Sequence, residues 1–137
     1  MTERPRSIVW FEWLMYLSVI SGTAFGAVHD SGPYLVKHSV ASYAIILVIL
    51  VGLYALAIWS IARRRKGWVR WLLVALFVFG LPKSVQHYTL VYRTDLAASI
   101  AYAINYLMMG LALYFTFTAE ARDWFRKRQQ IDPAVFD

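Results

Sequence analysis

Long apolar runs alternate with short polar breaks along the whole chain. Four runs, at about 8–28, 40–62, 68–90 and 96–117, carry few charges. An α-helix rises 1.5 Å per residue, so about 20 apolar residues cross the roughly 30 Å hydrocarbon core of a bilayer. Each run meets that length. The pattern predicts an all-α fold: a polytopic bundle of four transmembrane helices, built as two helical hairpins in a single domain over 1–137.

The breaks orient the runs. Arg63-Arg64-Arg65-Lys66 separates the second run from the third, and a block of cations between two spans resists transfer across the membrane, so it reads as a cytoplasmic turn. The break around Ser31-Gly32-Pro33 has turn chemistry and few cations, and Tyr92-Arg93-Thr94-Asp95 makes a tight turn; both read as outer. The first run follows Arg4-Pro5-Arg6. Its length and the Glu12 within it mark it as a span rather than a cleaved signal peptide. Beyond the fourth run, a cytoplasmic helical extension is predicted over about 118–130, ending before Asp132-Pro133.

Composition sharpens this picture. The chain is 60% hydrophobic, against roughly 45–50% in soluble domains. Of its 14 Lys and Arg, 11 fall in the three clusters 4–6, 63–70 and 122–128; Lys37 and Arg93 lie outside and Lys83 lies within a span. The asymmetry implies a multi-pass protein of the cytoplasmic membrane with both termini cytoplasmic. Trp10, Trp13, Trp68, Trp71 and Trp124 fall at the inner interface, where indoles settle. The net charge of +6 then reads as contact with anionic lipid headgroups, not nucleic acid. With no Cys, disulfides, thiolate metal sites and thiol catalysis are excluded.

An offset of 58 residues lays the first run over the third without a gap, as W-x-x-W-L-x7-G-x6-H: Trp10 over Trp68, Gly22 over Gly80, His29 over His87. Both runs start on the same side, so the pattern reads as a parallel internal repeat, in which sites form between the halves. Glu12 and Arg70 then occupy equivalent places and are expected to pair as an interfacial ion pair. Gly22-Thr23-Ala24-Phe25-Gly26 is a GxxxG, a weak pointer to self-association.

Three groups of residues could carry chemistry. Lys83 lies ten residues before Arg93, about 15 Å below the outer turn on a helix, and an ionisable group at that depth is a functional-site hypothesis by default. Gln86 and His87 share its face at i+3 and i+4, and Asn105 in the fourth run lies at matching depth. Lys83, Gln86, His87 and Asn105 are therefore the candidate intramembrane polar site. Ser18 or Ser21 can reach the same level. His29, His38, His87 and Asp30 are the candidate outer-face ligands, for haem b or a metal, although no metal-ligand spacing is present. Glu12 lies among interfacial Trp residues, close to Arg4 and Arg6.

No Ser/His/Asp constellation, phosphate loop, HExxH or carboxylate pair occurs, and the cytoplasmic loops are short. The sequence therefore points to a non-enzymatic accessory or self-assembling subunit, an oligomer with itself or part of a larger complex, docking through the apolar second run. The alternatives are a small oligomeric channel or carrier with a path along Lys83, Gln86 and His87, and a redox subunit holding haem or a metal between His29 and His87.

Overall fold

The computed structural model describes residues 4–29, 39–93 and 95–126. Five helices follow one another: α1 (Arg6–His29), α2 (Val40–Ala62), α3 (Gly67–Tyr92), α4 (Leu96–Phe115) and α5 (Ala119–Arg126). The first four are long and apolar enough to cross a membrane, as the hydropathy pattern predicts, and give a small multi-pass bundle. Their starts have local causes. Ser39 caps α2 by accepting from the Ser42 N–H at 3.2 Å, and Asp95 caps α4 by accepting from the Ala98 N–H at 3.0 Å.

α1 packs against α2 and α4, α3 packs against α4, and the α2–α3 seam is slight. The packing is uneven along the bundle. Phe11 and Met15 of α1, Ile58 and Ile61 of α2, Leu73 of α3 and Leu113 of α4 form one buried cluster. All of these lie near the end that carries 63–66, called here the basic end. Away from it, α2 from 40 to 50 and α3 from 81 to 86 are largely exposed, and a Cβ added at Gly52 would meet nothing within 4 Å. The buried core thus sits toward the basic end, and α2 and α3 are least covered toward the other.

The predicted extension of the fourth span forms a helix of its own. Residues 116–118 make a turn in which the Thr116 hydroxyl donates to the Leu113 carbonyl at 2.7 Å and Thr118 to Phe115 at 3.1 Å. Hydroxyls that return to the backbone three residues earlier compete with the helical ladder. The turn lets short, amphipathic α5 lay Ala121 and Trp124 against Ile8 and Ala62. Residues 127–130 of the extension lie outside the described residues.

The four Trp at the starts of α1 and α3 stay exposed in a band, Trp10, Trp13, Trp68 and Trp71, as interface indoles do. Trp124 departs from that expectation. It is buried, and the Arg65 guanidinium lies 3.8 Å from its ring centroid. α5 is the one helix here with a strongly polar face, so its indole turns inward.

Pro82 sits inside α3 without ending it. It offers no N–H to the helical ladder, and side chains bond to carbonyls beside the gap. Tyr106 of α4 donates to the Phe77 carbonyl, and Ser84 donates to Gly80 at 3.0 Å.

Candidate functional site

The structure splits the predicted intramembrane polar site in two. Asn105, on the inner side of α4, is taken up by α1. Its Nδ2 donates to the Ser18 carbonyl at 2.9 Å and to Ser21 Oγ at 2.7 Å, and Ser18 Oγ donates to the Asn105 carbonyl at 3.3 Å. Ser21 Oγ passes the chain on to the Leu17 carbonyl at 2.7 Å. In lipid such groups find no water, so they bond across the helix interface. Gly22 makes the approach close enough, since a Cβ there would lie 3.2 Å from Asn105 Oδ1. Gly22, the first glycine of the GxxxG, therefore serves a seam within the chain. Gly80, its counterpart in the repeat, also faces α4, toward the Tyr106 hydroxyl.

Lys83 and Gln86 go the other way. Both are exposed on the outside of the bundle, and Lys83 makes no hydrogen bond or ion pair with the described residues. The expected contact between Lys83 and Asn105 is not made, because the α1 serines hold the amide on a different face of α4. His87 is half-buried and turns toward α4, its ring edge-on to Tyr102 with centroids 5.1 Å apart. A path along Lys83 and Gln86 thus runs over the bundle surface, not through its interior.

Among the outer-face candidates, His29 is the last residue of α1, at the same end as His87. Its side chain, together with Asp30 and His38, lies outside the described residues. Among the described residues no group of three or more His, Cys, Asp or Glu is arranged to hold a metal ion.

The expected ion pair between Glu12 and Arg70 is corrected. Glu12 pairs with Arg4 and, at 3.5 Å, with Arg63. Arg70 instead donates from Nη1 to the Thr116 carbonyl at 3.2 Å, at the C-terminal end of α4 where exposed carbonyls attract cations. α1 and α3 are not close neighbours in the bundle, so aligned positions on them meet other partners. The Glu12 side chain is only 14% exposed, whereas that of Arg63 is 54% exposed. Breaking a buried pair costs about 3–5 kcal/mol, and water screening of Arg63 reduces this, so Glu12→Gln is expected to cost about 1–2 kcal/mol. Chemical unfolding of the two proteins in one detergent checks it; equal midpoints would reduce the pair to a surface contact.

A second feature escaped the sequence. A cleft of about 740 Å³ opens at the basic end between the start of α3 and α5. The one signal for it was the i, i+4 spacing of Arg122 and Arg126 on a short amphipathic segment.

Comparison of the chain with protein families, with curated proteins and with solved structures gave no match.

Proposed function

We propose that this protein is a non-enzymatic accessory subunit of a membrane complex, joined to another chain through the α3 face that carries Lys83 and Gln86. The observation that supports this reading is the outward exposure of Lys83 within a membrane-spanning helix. Ionisable groups in spans almost always face a bundle interior or a water-filled cavity, and pair there. Here the chain's own polar groups at that depth are already engaged by Asn105, Ser18 and Ser21. Glu12 lies at the opposite end of the bundle and Asp95 caps α4, so neither offers Lys83 a carboxylate. The complementary partner is a helix that presents an intramembrane carboxylate or carbonyl. The exposed outer halves of α2 and α3 leave room for such a helix. The basic end then lies on the cytoplasmic side, where its exposed Trp band and cations meet the inner leaflet.

The test is purification of the native assembly in mild detergent, with mass and polypeptide content recorded for wild type and Lys83→Met. A charged hydrogen bond contributes about 1.5–3 kcal/mol, so the variant is expected to bind its partner about 10- to 100-fold more weakly. Its own thermal unfolding should be unchanged, because Lys83 bonds to nothing within the bundle. A wild-type monomer with no second polypeptide, or a partner retained equally by Lys83→Met, would overturn the proposal and leave Lys83 snorkelling to the interface. A homo-oligomer lost on Lys83→Met would move the reading to self-assembly, with the Lys83 and Gln86 stripe lining a path between copies.

A further inference from the structure

α2 must end and α3 begin within four residues, all of them cations. The chain achieves this by placing Arg65 in the left-handed region, φ 53°, where L-residues cost about 1–2 kcal/mol and Gly is the usual choice. That turn lets the Lys66 N–H reach back to the Ser60 carbonyl at 3.1 Å and close the end of α2. The Arg at this Gly position lays its guanidinium over Trp124 of α5 and forms one wall of the basic cleft.

The other walls are of the same sign. Lys66, Arg70, Arg122 and Arg126 complete a ring of five cations, and among the described residues no carboxylate lines the cleft. The two acids of α5, Glu120 and Asp123, are exposed and do not contribute to its walls. Arg70 is held in place by aromatic rings, its guanidinium 4.9 Å from the Phe117 centroid and 5.0 Å from that of Phe125. Its Nη1 is used by Thr116, but its Nε is buried with no hydrogen-bond partner among the described residues. A buried donor on a charged group is costly to leave unmade. α3 also begins here at Gly67, which lines the cleft beside Phe125, although the Val69 N–H of its first turn is already taken by the Lys66 carbonyl at 3.1 Å.

From this arrangement we infer a binding site for a phosphate-bearing anion. Like charges converging on one cavity repel one another, and an anion converts that repulsion into attraction. The volume lies within the roughly 300–1,000 Å³ range of small-ligand sites and exceeds what one inorganic phosphate fills. Trp68 and Trp71 on the rim are 64% and 59% exposed, an apolar edge at membrane-interface depth. That rim favours an anion that carries acyl chains, a phospholipid headgroup with more than one negative charge, over a soluble phosphate. The site lies at the end of the bundle remote from Lys83 and is independent of the assembly proposed above.

The experiment titrates the full-length protein in neutral detergent with cardiolipin, with phosphatidylcholine and with inorganic phosphate, reading bound adducts by native mass spectrometry and stabilisation by thermal unfolding. Cardiolipin is expected to bind and stabilise, and phosphatidylcholine to do neither. Each cation near anionic lipid contributes about 1 kcal/mol, so Arg122→Gln should weaken cardiolipin binding about fivefold and Arg70→Gln with Arg122→Gln about 25-fold. Arg6→Gln with Arg64→Gln removes the same charge from the same end, outside the cleft, and should lose far less. Inorganic phosphate that binds with the same dependence on Arg70 and Arg122 would support the site and identify its ligand as soluble. An equal loss in the Arg6 and Arg64 variant would overturn the inference, because surface attraction alone would then account for binding. Indifference between cardiolipin and phosphatidylcholine, with no phosphate bound, would also overturn it. If Arg70→Gln fails to fold, the exposed Arg122→Gln and the wild-type comparison of the three ligands decide the question.

Discussion

Phe11→Ala is expected to lower the stability of the bundle by about 2–4 kcal/mol, toward the lower end of the cost of Phe→Ala in water-soluble cores. Phe11 is fully buried, packed in the cluster with Met15, Ile58, Ile61, Leu73 and Leu113. In lipid the separated helices remain in an apolar solvent, so the transfer part of the usual penalty is small. The cavity and the lost dispersion contacts remain, because close packing is what holds such helices together. The half of the bundle away from the basic end offers little compensation, since among the described residues the large fully buried side chains lie near the basic end. Titration with a denaturing detergent, followed by near-ultraviolet circular dichroism of the Trp and Tyr rings, reads the effect. Far-ultraviolet dichroism should stay helical, as the spans do not depend on the core for their hydrogen bonds. Leu56→Ala, at a site 61% exposed, should fall within about 0.5 kcal/mol of wild type. Equal midpoints for Phe11→Ala and Leu56→Ala would mean that the cluster does not hold the bundle.

Gly22→Leu should cost about 2–5 kcal/mol, from overpacking of about 1–3 kcal/mol and the loss of hydrogen bonds at about 0.6 kcal/mol each in lipid. A bare Cβ at this position already lies 3.2 Å from Asn105 Oδ1 and 3.5 Å from Nδ2. The amide cannot move aside without giving up Ser18 and Ser21. Gly22→Ala should therefore be milder, and Gly52→Leu neutral in the isolated chain, where a Cβ meets open space. The same unfolding titration ranks the three. A Gly22→Leu protein as stable as Gly52→Leu would show that α1 and α4 do not approach closely at Asn105. In the native assembly, by contrast, Gly52→Leu that displaced a second polypeptide would mark α2 as part of the docking surface.

The candidate site was only partly legible in the sequence, and particular residues show why. The depth of Lys83 and Asn105 could be counted from the turn at Tyr92 to Asp95, and both do lie within spans. Their faces could not be counted. α2 is apolar on nearly every side, and the few polar residues of α1 and α3 are not gathered on one stripe, so their patterns do not say which side meets a neighbour. Asn105 faces Ser18 while Lys83 faces away, a difference that arises only once four helices share one cross-section. The pairing of Glu12 with Arg70 failed for the same reason: Arg70 matched it in the alignment of runs, but the fold adds Arg63 to Arg4, whose closeness the sequence did show. The basic cleft needed a further step, the turn at 116–118 that brings Arg122 back to the start of α3.

By itself the sequence determined the number of spans, their lengths, the end at which the cations gather and the level of the Trp band. These follow from composition and length, because a bilayer selects on hydrophobic thickness and on the cost of moving charge, both summed locally along the chain. Tertiary structure alone decided which faces touch, that Asn105 closes a seam within the chain, that Lys83 faces outward from the bundle, and that five cations meet around one cleft. Those outcomes depend on helix rotation and on one turn after α4, which are set by packing between segments distant in sequence.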